Sequence, residues 1–199
     1  PLRGKVVNAG KATLKQVLDN AEAQALFTAV GAGSGRDFDL ESARYGRIVI
    51  LCDADVDGSH IRCLLLTLIH EYMRPLLEAG RVYAAQPPLY TCRVGDTIHR
   101  AFNDEERDDI IKALAKGGRK PENLKWNRFK GLGEMNVEEL AECALDPETR
   151  ILRQLTMAEG REAKKAAELF DVLMGADVAR RRDYLIANSS LLDPDALDI

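Results

Sequence analysis

Histidine and cysteine are scarce in this 199-residue chain, with three of the first and four of the second. His60, His70 and His99 form no HxxxH pair, which excludes a histidine-rich zinc site. Cys52, Cys63, Cys92 and Cys143 contain no CxxC, so neither a redox dithiol nor a zinc framework is expected, and reduced thiols in a cytoplasmic protein are the expected state. Long apolar runs are also missing. The longest helical candidate, Ile61 to Ala79, is interrupted by Arg62, His70, Glu71, Arg74 and Pro75, so it cannot span a membrane. No basic cluster leads into an apolar stretch, so no secretion signal is expected. The chain starts at Pro1 without a methionine, which reads as an excised or processed fragment.

What is present is an ordinary globular balance: 46% hydrophobic and 30% charged, enough to bury a core in one domain or one domain with an appendage. The net charge of -4 argues against a surface that attracts nucleic acid everywhere. Its distribution is uneven. Arg119, Lys120, Lys125, Arg128 and Lys130 face a single acid, Glu122, while Arg3, Lys5, Lys11 and Lys15 face only Asp19. Acid gathers between Asp104 and Asp109 and in the C-terminal tail. Taken singly, each cluster reads as a solvated face.

Gly46 to Cys52 is a short apolar run rich in β-branched residues and predicts a strand buried on both faces of a parallel sheet. Ile61, Leu64, Leu65, Leu68, Ile69 and Met73 then recur at helical spacing. Pro75 should break that helix and Gly80 end it. Arg81 to Gln86 predicts a second strand, completing a right-handed parallel crossover. Ala21 to Val30 reads as a helix stopped by Gly31. Leu89 to Val94 and Thr97 to Phe102 flank Gly95-Asp96 as a hairpin. Asn103 with Glu106, and Asn136 with Glu139, have the form of helix-starting caps, the first opening a helix to about Lys116. Leu124 to Phe129 predicts a strand and 130–134 a loop. The remainder reads as short helices, among them Arg161 to Met174, closed by Gly175, and one around Asp177 to Asn188. No internal repeat is found.

Chemistry concentrates in Asp53-Ala54-Asp55-Val56-Asp57-Gly58. Three carboxylates at alternate positions follow the carboxyl end of a predicted strand, where open α/β sheets bind ligands. Clustered carboxylates repel one another and favour a hard divalent cation, magnesium above all. The bland reading is that aspartate is a common helix-start residue; three in this context favour metal. An EF-hand loop opens in the same way but needs a glutamate at its twelfth position, where Leu64 stands. Haloacid-dehalogenase phosphatases want Thr or Val two residues after the second Asp, where Asp57 stands. Gly31-Ala32-Gly33-Ser34-Gly35 lacks the Gly-Lys-Ser/Thr of a P-loop and reads as a connection.

The string Asp53 to Arg62, with Pro87-Pro88-Leu89-Tyr90 and Arg128-Phe129-Lys130-Gly131-Leu132-Gly133-Glu134-Met135-Asn136, resembles the B subunits of bacterial type II DNA topoisomerases, gyrase and topoisomerase IV. Pro1 to Asn8, Asp146-Pro147-Glu148 and Leu173-Met174-Gly175 are similar to stretches of the same subunits, in family order. The resemblance implies an α/β Toprim fold: a parallel sheet flanked by helices, over residues 1–120, followed by the KGLGEM loop and a mostly helical C-terminal segment over 121–199. It implies that Asp53 and Asp55 are the principal magnesium ligands and catalytic residues, with Asp57 supporting them. Arg128 and Lys130, together with Arg3, Lys5 and His60, would face double-stranded DNA. The partner would be the A subunit, whose tyrosine attacks the scissile phosphate, in a cytoplasmic heterotetramer with no membrane contact.

The sequence departs from the family pattern in places: Phe129 stands where Tyr is usual and Arg3 where Lys is frequent. The family's metal set also uses a Glu from an E-G-D-S-A segment upstream of the stretch matching Pro1, and the ATP-binding region lies further upstream. Neither is in this sequence, so the chain alone is expected to be catalytically silent. Two alternatives remain: a DNA and subunit docking module without metal chemistry, and a haloacid-dehalogenase-like phosphatase. Tyr45, Tyr72, Tyr83, Tyr90 and Tyr184 have no basic cluster around them and read as structural.

Overall fold

The computed structural model describes residues 1–53, 56–129, 131–157 and 160–191. In chain order these form α1 (Leu14–Asp19), α2 (Ala21–Val30), β1 (Ile48–Ile50), α3 (Val56–Tyr72), α4 (Arg74–Glu78), β2 (Val82–Ala85), β3 (Tyr90–Val94) and β4 (Thr97–Ala101). There follow α5 (Asp104–Lys116), β5 (Trp126–Arg128), α6 (Val137–Leu140), β6 (Leu152–Leu155), α7 (Gly160–Met174) and α8 (Val178–Ala187). The class is α/β, as expected. The chain divides into two compact units, one of residues 1–50, 56–84 and 154–199, the other of 51–55 and 85–153.

The first unit is built on the predicted crossover. β1 and β2 pair in parallel, Ile48 with Val82 and Ile50 with Ala84, and α3 and α4 connect them. The sheet order is β1-β2-β6, so β1 is an edge among the described strands. That position explains a difference from expectation: β1 is only three residues long, and Ile48 and Val49 are half-buried while Ile50 alone is buried. β6 corrects the reading of this stretch as short helices. Its end residues, Leu152 and Leu155, are half-buried and flank two exposed polar ones, Arg153 and Gln154, which conceal the strand in the sequence.

The long helix begins five residues before its first apolar marker, because Val56 and Asp57 already have helical geometry. It breaks at Met73, and Pro75 lies in the first turn of α4, where its missing N–H costs nothing. Leu68, Met73, Leu76 and Val82 are almost fully buried. His70 is buried too, its ring stacked on Phe170 of α7 with centroids 4.6 Å apart. Gly31 and Gly80 terminate their helices with φ of 71° and 64°, the left-handed region.

The end of α7 is tied down from two directions. Asn8 Nδ2 donates to the Met174 carbonyl at 3.0 Å. Arg181 donates from Nε to the Leu173 carbonyl at 2.7 Å and from Nη2 to that of Gly175. These bonds satisfy carbonyls that a helix end leaves open. They give the Leu173-Met174-Gly175 string a structural meaning.

The second unit is an antiparallel sheet of order β4-β3-β5, with Tyr90 opposite Ala101 and Arg128, and Cys92 opposite His99 and Trp126. The hairpin turns at Gly95 with φ 61°, the positive value a two-residue turn with glycine first requires. Asn103 caps α5 by accepting the Glu106 N–H at 2.8 Å, but the Glu106 carboxylate reaches the amide of Phe102 instead of that of Asn103. At α6 the reciprocal box is complete between Asn136 and Glu139. α6 runs directly into a π-helical turn, Ala141–Leu145, which buries Cys143 and Ala144.

Gly175→Ala should test the α7 terminus. A Cβ there would stand 2.3 Å from the Asp171 carbonyl oxygen, a helix backbone atom that cannot yield. The expected loss is about 2 kcal/mol of unfolding free energy, read as a lower urea midpoint at unchanged slope. Gly46→Ala, where a Cβ meets nothing within 4 Å, should change stability by less than ~0.5 kcal/mol.

Candidate metal and nucleic-acid site

Asp53 follows β1 by three residues and belongs to the second unit, as does the loop of residues 131–134. Its half-buried carboxylate meets that loop directly: Asp53 Oδ1 accepts the Leu132 N–H at 2.8 Å. The loop approaches this closely because residue 131 is glycine. A Cβ on Gly131 would lie 3.0 Å from Asp53 Oδ2 and 3.1 Å from Cγ, tight enough to displace the carboxylate. Leu132 then opens a 3-10 turn to Glu134, in which the Glu134 amide donates to the Gly131 carbonyl at 3.2 Å. Two motifs separated by 79 positions therefore share one hydrogen bond.

The other expected site residues fall as follows. Asp57 is exposed in the first turn of α3, in the first unit, where a carboxylate is favoured by the helix N-terminus. Gly58 behind it is buried, and His60 is exposed. Arg3 and Lys5 are exposed in the same unit, and their backbones are tied: the Arg3 amide donates to Glu22 Oε1 at 3.0 Å, and the Lys5 carbonyl accepts from Asn20 Nδ2 at 3.2 Å. Arg128 is exposed at the end of β5. Asp55 and Lys130 lie outside the described residues. Among the described residues no group of three or more histidines, cysteines or carboxylates is gathered for a metal.

Sequence reasoning placed 130–134 beside DNA and missed that its backbone holds Asp53. The available signal was glycine at 131 and 133, which permits close backbone approach. It also missed the polar cluster at the start of α5. There Tyr90 Oη donates to Asp104 Oδ1 at 2.8 Å, with the Arg107 guanidinium 4.7 Å above the ring. Burial, then the bond to Asp104, pushes the Tyr90 hydroxyl above its ordinary value, the opposite of activating it as a nucleophile. Burial likewise raises the thiols of Cys92 and Cys143, which leaves them poor nucleophiles.

The Toprim domain model matches residues 1–87, and the model of the DNA gyrase B subunit carboxyl terminus matches residues 121–186. The two matches account for most of the chain, which carries a Toprim segment followed by a segment of the DNA gyrase B carboxyl-terminal family. It is 48% identical over 189 residues to the DNA gyrase B subunit of Archaeoglobus fulgidus, an alignment covering 95% of this chain and 28% of that protein. Against the DNA gyrase B subunit of Thermus thermophilus the identity is 48% over 93% of this chain and 28% of the relative. The novobiocin-sensitive DNA gyrase B subunit of Streptomyces niveus is 45% identical over the whole chain, again 28% of its own length. The chain thus spans a little over a quarter of these relatives. No helix among the described residues is long and apolar enough to cross a membrane.

The Asp53 contact is directly testable by hydrogen exchange of the Leu132 amide. Gly131→Ala should pull Asp53 away and speed exchange by roughly tenfold, the equivalent of one charge-assisted hydrogen bond. Asp53→Asn, which keeps an acceptor oxygen, should show a smaller change. Unaltered exchange in Gly131→Ala would mean that the loop is held by other contacts.

Proposed function

We propose that this chain is the magnesium-holding part of the DNA cleavage and religation centre of an ATP-dependent type II topoisomerase, within its B subunit. The observation that carries this reading is the Leu132 to Asp53 hydrogen bond, which ties the first acid of the carboxylate run to the KGLGE loop. Asp53 and Asp55 are the principal ligands and Asp57 supports them. Their carboxylate oxygens are the donors magnesium prefers, and the orientation of Asp53 is set by a main-chain amide that needs no ion to be in place. When bound, the ion supplies Lewis-acid stabilisation of charge at the scissile phosphate. The chain's own residues orient and attract: Asp53 is held by the loop, while Arg128 and Lys130, with Arg3, Lys5 and His60, bind the DNA backbone by charge, which positions the duplex but reads little sequence.

The nucleophile is a tyrosine of the partner A subunit, consistent with the unactivated hydroxyl of Tyr90. The working assembly is a cytoplasmic heterotetramer, and the names of the relatives favour gyrase over topoisomerase IV. Residues 1–120 form its Toprim part and 121–199 its C-terminal segment. The 199-residue chain alone is silent, because the attacking tyrosine belongs to the partner subunit.

Asp53→Ala or Asp55→Ala, in the complete subunit with its partner, should abolish DNA cleavage while leaving the fold intact by circular dichroism. Losing one ligand removes several kcal/mol of transition-state stabilisation. Near-normal supercoiling with either variant would reject metal chemistry and leave a docking module. Three samples should differ in order: the 199-residue chain, the complete B subunit, and the complete subunit with its A partner. They should give weak magnesium binding, stronger binding without cleavage, and cleavage, respectively. Cleavage by the short chain alone would show that it carries its own nucleophile.

A further inference from the structure

Of the five cations between Arg119 and Lys130, the function proposed above employs only Arg128 and Lys130. Two of the others meet a third cation from elsewhere in the second unit. A hollow of about 400 Å³ lies between the hairpin tip and the turn after α5, lined by Arg93 and Gly95 on one side and by Gly118, Arg119, Lys120 and Asn123 on the other. Arg93, Arg119 and Lys120 are exposed, and among the described residues none of them is in an ion pair.

The backbone beneath these cations is fixed. The Arg119 amide donates to the Leu114 carbonyl at 3.1 Å, the Asn123 amide to the Lys120 carbonyl at 3.0 Å, and Pro121 restricts the residue between them. Side chains on such a backbone lose less freedom when they bind. Gly95 and Gly118 sit at positive φ, 61° and 85°, and a Cβ on either would meet nothing within 4 Å, so the hollow stays open.

The chemistry of the hollow decides its partner. A protein partner is captured by buried aromatic or aliphatic anchors. No aromatic residue lines this hollow, and its apolar content is limited to Val94 and Leu124. Three unpaired cations on an open, polar surface instead match the regular negative charge of a phosphodiester backbone. We propose that Arg93, Arg119 and Lys120 form a further phosphate-contacting surface for duplex DNA, independent of base sequence. This rests on the reading of the chain as a DNA-handling segment.

The test is the salt dependence of duplex DNA binding by the 199-residue chain. The combined R93A/R119A/K120A variant should bind at least ~tenfold more weakly at low salt, and its plot of log K against log salt should flatten by about three units, close to one per phosphate contact. Arg93→Lys with Arg119→Lys should retain the slope, because a phosphate contact needs charge and not a planar fork. A triple variant with the wild-type slope overturns the proposal; if Arg128→Ala flattens the slope in the same series, the DNA-handling reading survives that failure. Absence of salt-dependent binding by the wild-type chain overturns both. If the lysine pair loses as much as the alanines, these residues act through structure and the proposal is wrong. Equal loss of binding to a polyglutamate peptide would assign the hollow to an acidic protein partner and overturn DNA as the ligand.

Discussion

One main-chain hydrogen bond, from Leu132 to Asp53, ties the first acid of the carboxylate run to the glycine-rich loop. A side-chain donor could be replaced by another of similar reach, whereas an amide serves only if the backbone itself comes within about 3 Å. Gly131 permits that approach, since any Cβ would press on the carboxylate. The bond joins positions 79 apart, so Asp53 is fixed by the turn of residues 131–134, which follows β5 of the antiparallel sheet.

Local features of the fold were legible in the sequence because they depend on neighbours a few residues apart. Gly31, Gly80 and Gly95 each occupy the positive φ that a cap or tight turn demands, and Asn103 and Asn136 cap the helices they were expected to start. Pro75 opens α4 for the same local reason. Features decided by distant partners were not legible. β6 carries only two apolar residues, Leu152 and Leu155, at a spacing that also fits a helix turn, and only its place beside β2 makes it a strand. α1 escaped notice because Leu14 and Leu18 are largely exposed and Val17 alone is buried, too little for a periodic signal over six residues. The acids of the candidate site were visible as a string, but nothing near position 53 announces Leu132.

Charge follows the same division. A net value of -4 hides an arrangement in which some acids are paired with cations of the same unit. Asp104 and Asp108 hold Arg107, Asp109 holds Lys112, and Glu142 holds Arg100 at 2.6 Å. Each pair has at least one exposed partner and is worth little in stability. Their effect is on the field: cations that lack such partners among the described residues, as at Arg93 and Arg119, remain available to an external anion.

The knot at the end of α7 has a consequence for motion. Asn8, close to the start of the chain, and Arg181, in the last long helix, bond to carbonyls of successive residues, 173 to 175. Neither can let go without leaving a helix terminus unsatisfied, so fraying at one end weakens the anchor of the other. Loosening of residues near Asn8 and of α8 is thereby coupled through the same three carbonyls, so the two stretches share one anchor in the fold.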